Sequence, residues 1–253
     1  MSTPEVRSVL AVGSGKGGVG KSTVTLQLAL ACARRGLRVG VLDADLYGPD
    51  IPLMVGISRQ EQARQWQLWR RDGVSLEPIE RHGLKLMSVG FLLAETQALS
   101  MASPLLTAAL RQLVLEVEWG ELDVLLVDLP PGTADLQQQL VGVVSLDGAV
   151  VVVGPQDVAH LDARKFVTFL RDARVPVLGG IENMSGLVCP HCNETIEVFP
   201  PVAEDRAVWT DRVAVLGRVP MDPRLASEPA ELQPAFEPIV ERLLDALPRR
   251  DAA

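Results

Sequence analysis

The chain is short of lysine. Only four of its 24 basic residues are lysines (Lys16, Lys21, Lys85 and Lys165), and two of those fall in one glycine-rich stretch. There is no Lys/Arg cluster, and 32 acidic residues bring the formal charge to −8. An acidic chain without a basic patch argues against nucleic acid as the main partner. No apolar run approaches the roughly eighteen residues of a membrane-spanning helix. The start, MSTPEVRSVL, lacks a basic segment followed by a long apolar one, so no secretory signal is expected. These absences lead to an expectation of a cytoplasmic protein with no membrane partner. Cysteine is scarce as well. Two of the three are spaced C-x-x-C, which is no disulfide framework and in a cytosolic chain suggests metal or redox chemistry. There is no internal repeat, low-complexity segment or convincing linker. What remains, 253 residues of which 47 % are hydrophobic, suits one α/β domain over 1–253 with a sizeable core, ending in a frayed tail over 248–253.

The chemistry starts at Gly13-Ser14-Gly15-Lys16-Gly17-Gly18-Val19-Gly20-Lys21-Ser22-Thr23. An apolar run, Val9 to Val12, precedes it and reads as a buried strand. An amphipathic helical run, Val24 to Arg35, follows it. Gly15, Gly20, Lys21 and Ser22 meet the pattern G-x-x-x-x-G-K-S. Glycines let such a loop wrap so that backbone N–H groups face phosphate oxygens, and the next helix adds its positive end. Lys21 is expected at the β- and γ-phosphates of ATP and the Ser22 hydroxyl on Mg²⁺. Gly13, Gly15 and Gly18 also spell G-x-G-x-x-G, with the acidic Asp43 ending the next strand, which is a dinucleotide pattern. That alternative leaves Lys21 and Ser22 without a purpose.

Strand and helix patterns alternate along the rest of the chain, as a doubly wound, mostly parallel sheet flanked by helices requires. Strands are expected over Leu37 to Leu42, Leu122 to Asp128, Gly148 to Val153, Val175 to Ile181 and Val213 to Val219. Val74 to Ile79 and Leu84 to Val89 flank His82-Gly83 as a hairpin or two short strands, and Ile196 to Phe199 reads as a short edge strand. Helices are expected over Arg59 to Arg71 (carrying Trp66 and Trp69), Pro104 to Val117 with Ser103 as N-cap, Asp135 to Val144, Leu161 to Asp172 and Phe236 to Leu247.

Three further groups carry candidate chemistry. Asp128 ends an apolar strand and is followed by Pro130-Pro131-Gly132-Thr133. An acid there can hold the hydration shell of Mg²⁺, and the Gly132 N–H can sense a γ-phosphate, making the loop a switch. Asp43 and Asp45 sit at the mouth of the neighbouring strand. A carboxylate there can orient or deprotonate water, or reach Mg²⁺ through water, and the spacing does not divide base from metal roles between them. Cys189-Pro190-His191-Cys192 offers two thiolates, which fit half a zinc site, a redox pair or half a cluster site. Cys32 falls on the apolar register of the first helix and reads as core. His191 reads as a loop residue, and His82 and His160 have no ligand cluster near them in sequence. Asn183 follows a strand, where an amide can meet a base edge or simply shape a turn.

The stretches GSGKGGVGKST, VLDADLYGPDIP, VDLPPGTAD, GPQDVAHLDARK, VPVLGGIENMSGLVCPHC and LGRVP together resemble the Mrp/NBP35 (ApbC-like) iron–sulfur cluster carrier ATPases, within the MinD/ParA/nitrogenase iron protein group of deviant P-loops. The resemblance runs nearly end to end. It implies a slow, switch-like ATPase whose homodimer carries a bridging [4Fe–4S] cluster, received from cluster donors and passed to apo iron–sulfur proteins. It implies that Lys16 reaches the partner's nucleotide, that Asn183 contacts adenine, and that 185–200 is a cysteine-bearing dimerisation loop. Two-fold symmetry would let Cys189 and Cys192 of both chains supply four thiolates, a cage that also takes zinc in aerobic preparations. The small N-terminal domain of many bacterial members is not expected. Members usually carry a W-R-G-P-like stretch where this chain has Ser100-Met101-Ala102-Ser103-Pro104, and F-G-x-G-G where it has Phe199-Pro200-Pro201-Val202-Ala203. Both departures bear on partner recognition or interface, not on the nucleotide site. The rivals are a MinD/ParA-like positioning switch, which calls for a basic amphipathic C-terminal helix, and a metallochaperone ATPase delivering a single ion.

Overall fold

The computed structural model describes residues 6–46, 48–58, 60–61, 76–92, 113, 116–132, 135–189, 191–192 and 194–248. Four continuous apolar runs make the centre of the sheet: β1 Val9–Gly13, β2 Val39–Asp43, β5 Val124–Asp128 and β6 Gly148–Val153. Nearly every residue in them is buried, as happens when helices cover both faces of a parallel sheet. The order is β3-β4-β2-β5-β1-β6-β7-β8, with β9 beside β7, nine strands among the described residues. Here β3 is Ile79–Arg81, β4 Leu84–Ser88, β7 Val177–Val188, β8 Thr195–Ile196 and β9 Val215–Met221. Only the β3–β4 and β7–β8 pairings are antiparallel. The helices are α1 Lys21–Arg34, α2 Ile51–Met54, α3 Asp135–Val143, α4 Asp157–Asp172 and α5 Phe236–Asp245.

The register sets the functional edge. Asp43 pairs across with Asp128, and Val12 pairs with Asp128 on the other side, so both acids and the loop after β1 emerge together at the C-terminal ends of adjacent strands. Open α/β sheets bind ligands at that edge.

Several elements differ from the sequence expectation. α1 begins at Lys21, directly on the glycine loop, and α4 begins at Asp157, one turn earlier than its apolar periodicity indicates. His82 and Gly83 both take positive φ (51° and 74°) and close a β3–β4 hairpin. β7 does not stop at Ile181. It continues through Asn183 to Val188, because β9 and then β8 supply pairing partners that no local pattern announces. Asn183 therefore lies within a strand. The cysteine loop is tighter than 185–200: it is the turn of the β7–β8 hairpin, and the edge strand shrinks to Thr195–Ile196. Of the helices expected over 59–71 and 104–117, only residues 60–61, 113 and 116–117 are described: 60–61 and 113 are helical, while Val117 forms an isolated bridge with Leu76. The segment 100–104 and the tail beyond 248 lie outside the described residues.

α5 turns Phe236, Ile239, Val240 and Leu243 inward against α1 and β9. Gly217 permits this: a Cβ there would sit 2.5 Å from Ile239. α5 is thus committed to the core of the fold. The same close approach anchors the nucleotide loop. A Cβ on Gly15 would sit 2.2 Å from the backbone carbonyl of Asp162 in α4, with no side chain able to yield. Gly15→Ala is expected to cost on the order of 1–3 kcal/mol in urea unfolding, as overpacking does. An unchanged midpoint would mean that the loop does not rest on α4 in solution.

Candidate functional site

The loop from Gly13 to Gly20 joins β1 to α1 with Gly18 and Gly20 at φ 80° and 78°, a left-handed geometry that L side chains rarely adopt. Gly20 is the N-cap of α1, and no side chain caps that helix, so its first-turn N–H groups remain available to an anion. A cavity of about 300 Å³ opens over them. Ser14, Lys16, Gly17, Gly18, Lys21, Ser22 and Thr23 line it, together with Asp45, Gly48, Asp50, Met54 and Pro131. Val19 turns inward and is buried.

Beneath the cavity lies a buried ionic cluster. Lys21 Nζ is 2.7 Å from Asp128 Oδ2 and 3.3 Å from Asp45 Oδ2. Ser22 Oγ donates to Asp128 Oδ2 at 2.6 Å, and Thr25 Oγ1 donates to Asp128 Oδ1 at 2.7 Å. Burial works against the Lys21 ammonium, but Asp128, Asp45 and Asp43 together hold its pKa above the ordinary lysine value. Asp43 is fully buried, accepting from Ser88 Oγ at 3.1 Å and from the Asp45 N–H at 3.2 Å. Burial, then the neighbouring Asp128 carboxylate, pushes its pKa well above the usual carboxylate range, and Lys21 offsets only part of this. With its oxygens turned inward to Ser88 and Asp45, Asp43 is not presented to a ribose, which sets aside the dinucleotide pattern. The acids do not form a self-contained cation site among the described residues, since the Lys21 ammonium sits between them. A divalent ion fits this donor set when phosphate oxygens draw Lys21 away and Ser22 Oγ and the carboxylates face it.

The Pro130-Pro131-Gly132 turn closes the other wall. Gly132 (φ 90°) donates its N–H to the Ser14 carbonyl at 3.0 Å, so that donor is engaged on the glycine loop itself. Gln137 Nε2 donates to the Pro130 carbonyl at 2.8 Å. Asn183 comes to the loop from β7: its Nδ2 donates to the Val19 carbonyl at 2.9 Å. Lys16 lines the cavity mouth and is half-buried, apart from the Lys21 cluster.

The cysteines are at the far end of β7. The Cys189 N–H donates to the Glu194 carbonyl at 2.9 Å, closing the turn. The backbone N–H groups of His191 and then Cys192, followed by the Cys192 thiol, face Cys189 Sγ and hold its pKa below the ordinary thiol value. Backbone donors aimed at a sulfur stabilise a thiolate, the form that binds metal. Cys192 is exposed, with Sγ 3.9 Å from Glu194 Oε2. No third His, Cys, Asp or Glu completes a metal-holding group with them among the described residues. Val188 and Ile196 of the hairpin, and Val198 and Phe199 just after it in the chain, are exposed. Cys32, by contrast, is buried in α1, its pKa pushed up to about 12 by desolvation.

A glycine loop over a lysine–aspartate cluster and a separate C-x-x-C hairpin are thus joined in one sheet. The family model for NUBPL iron-transfer P-loop NTPases of the ParA group matches residues 5–243. The chain belongs to that family. An iron-sulfur cluster carrier protein from Aquifex aeolicus is 43% identical over 240 residues, 94% of this chain and 63% of its own length. An Arabidopsis thaliana mitochondrial iron-sulfur protein required for NADH dehydrogenase is 40% identical over 86% of this chain and 67% of its own length. The chain thus spans about two thirds of these curated relatives. Among solved structures, a nucleotide-binding protein from Archaeoglobus fulgidus, in complex with ADP and with cobalt found, aligns at TM-score 0.73 and 32% identity, covering 97% of this chain and 94% of that one. The Pyrococcus furiosus cell division ATPase MinD aligns at TM-score 0.68 and 20% identity over 95% and 99% of the two chains, which shows the shared fold.

As a P-loop NTPase, the chain has further residues around its acids that the sequence reading passes over. Thr25 and Gln27 are buried polar residues inside the otherwise apolar α1 run, a visible anomaly that could have been noticed. Thr25 holds the second oxygen of Asp128, while Gln27 ties α1 to Pro229, Glu231 and Gln233. Ser88 and Gln137 gave no signal, because their role depends on pairing register and on the turn of a loop. No helix among the described residues is long and apolar enough to cross a membrane.

Asp43 generates a test. A buried carboxyl with a raised pKa favours folding while protonated, and that contribution is lost as pH rises through the raised pKa. Asp43→Asn is therefore expected to stabilise the nucleotide-free, magnesium-free protein at neutral pH by about 1 kcal/mol, a rise of ~2–4 °C in Tm. The gap should close as pH falls toward the ordinary carboxylate range. A variant less stable than wild type at neutral pH would contradict this electrostatic reading.

Proposed function

We propose that the chain is a cytoplasmic ATPase that holds a [4Fe–4S] cluster between two copies of itself and hands it to apo iron–sulfur proteins. The observation that carries this reading is the unfinished thiol pair. Cys192 is exposed and Cys189 partly so, on a hairpin that with the residues just after it exposes Val188, Ile196, Val198 and Phe199, and no group of three His, Cys, Asp or Glu that could hold a metal ion forms there among the described residues. A [4Fe–4S] cluster takes four thiolates. A two-fold axis through this patch brings a second identical pair and covers the apolar rim at once. The same cage accepts zinc, and delivery of a single ion is the competing outcome.

At the other site, Lys21 leaves Asp128 for the β- and γ-phosphates as ATP enters, and the first-turn N–H groups of α1 take the remaining phosphate oxygens. Ser22 and, through water, Asp128 and Asp43 would hold Mg²⁺, which would supply positive charge against the transferring phosphoryl group. Asp45 or Asp43 orients and deprotonates the attacking water, whose oxygen bonds to the γ-phosphorus as the bond to ADP breaks. Gly132 exchanges the Ser14 carbonyl for the γ-phosphate, which makes its loop the reporter of nucleotide state. Asn183 keeps its carbonyl oxygen for the adenine edge, and Lys16 reaches the nucleotide of the partner.

Cys189→Ser and Cys192→Ser are each expected to lose bound iron after anaerobic reconstitution and to stop transfer to an apo-protein, with nucleotide affinity unchanged. Full iron content in the double variant would overturn the assignment, and one zinc ion per chain with no iron would favour the single-ion carrier. Lys16→Ala should bind nucleotide but hydrolyse it slowly. Mixing it with a Lys16-intact, hydrolysis-dead Lys21→Ala chain should restore part of the rate, and heterodimers without rescue would make Lys16 a local residue.

A further inference from the structure

Strand β7 touches both sites. Asn183 holds the glycine loop through the Val19 carbonyl, and Cys189 follows the last residue of the same strand. Between them the strand is irregular. Asn183 pairs with Val219 and Leu187 with Met221, so four residue steps on β7 span two on β9 and two surplus residues bulge out. At the start of that bulge Met184 has φ 59°. Among the described residues three other non-glycine residues share a positive φ, His82, Arg174 and Arg212, and all three lie in turns. Met184 alone takes it inside a strand. Its methyl also lies against the glycine loop, 3.5 Å from where a Cβ on Gly20 would stand.

We propose that Met184 is a positioning residue that sets the placement of the cysteine hairpin according to the state of the nucleotide loop. The inference rests on the cluster-carrier reading above and names how its two sites communicate. Before Asn183, β7 is pinned on both edges by β6 and β9. After the bulge, Leu187 and Val188 pair with β8 and the Cys189 N–H donates to the Glu194 carbonyl, which makes a short hairpin that meets β9 only through the Leu187–Met221 pair. The slack between the two halves is the bulge. A methionine held in left-handed backbone is away from its preferred conformation, so a second arrangement of 184–186 lies close in energy. When Lys21 exchanges Asp128 for phosphate, the Val19–Gly20 backbone is the part of the loop that Asn183 and Met184 grip. A shift there changes the bulge and re-aims the hairpin that follows it. Two sites that bias one such element are coupled, and the coupling is reciprocal.

Co²⁺, read by its thiolate charge-transfer absorption, probes the cysteines of the full chain under anaerobic conditions. Wild type should bind Co²⁺ with an affinity that changes at least ~5-fold between nucleotide-free protein and protein saturated with Mg²⁺ and a non-hydrolysable ATP analogue, and Co²⁺ should change the analogue's affinity by the same factor. Met184→Gly, which accepts the backbone without the methyl, should bring that ratio below about twofold. Met184→Asn should do the same, and Met184→Leu should keep most of the wild-type ratio. A wild-type ratio of one, or full coupling in both Met184→Gly and Met184→Asn, overturns the role of Met184 while leaving the carrier reading standing. If Cys189→Ser binds Co²⁺ as wild type does, the carrier reading itself fails and takes this inference with it.

Discussion

The structure turns on one buried ammonium. Lys21 lies among Asp43, Asp45 and Asp128 with little access to water, at the point where β1, β2 and β5 end together. Without it, three carboxyls would share one low-dielectric space, and mutual repulsion would disfavour their ionised forms. With it, the acids stay poised for a cation while the loop above keeps its N–H groups open. Three carboxyls against one ammonium leave the cluster short of positive charge. On the proposed function, a phosphate chain with its divalent ion would replace Lys21 as the partner of the acids, and binding and rearrangement of the loop would be one event.

The surroundings hold that cluster in place from several directions. Thr25 and Ser22 fix both oxygens of Asp128 from α1, and Ser88 fixes Asp43 from β4. Gly15 and Gly13 let the loop press on Asp162 and Phe166 of α4. The Pro130–Gly132 turn is tied to Ser14 on one side and Gln137 on the other. The cysteine hairpin, in contrast, has few such ties. It is exposed, short and apolar at its rim, as suits a surface completed by another molecule.

Much of this was legible in the residues. Continuous apolar runs marked β1, β2, β5 and β6, because strands buried on both faces have no polar alternation. The Lys21–Ser22 pair after a glycine loop, and Asp128 at a strand end, announced by their spacing that they would meet at one edge of the sheet. What stayed hidden depended on partners distant in sequence. Ser88 meets Asp43 only through the β2–β4 register, and β7 outruns Ile181 only because β8 and β9 pair with it. Asn183 looked like a loop residue for that reason. Met184 left no trace in the sequence, since a positive φ in a strand is announced by glycine or asparagine and not by methionine.

The account stands on the claim that two chains complete one cluster cage. The direct measurement is iron and sulfide per chain together with native mass, on the anaerobically reconstituted protein. It should give about four irons and four sulfides per two chains in a dimer that falls apart when the cluster is removed or when Cys189 and Cys192 are both changed to serine. A monomer carrying a full cluster, or a dimer with one cluster in each chain, would contradict it.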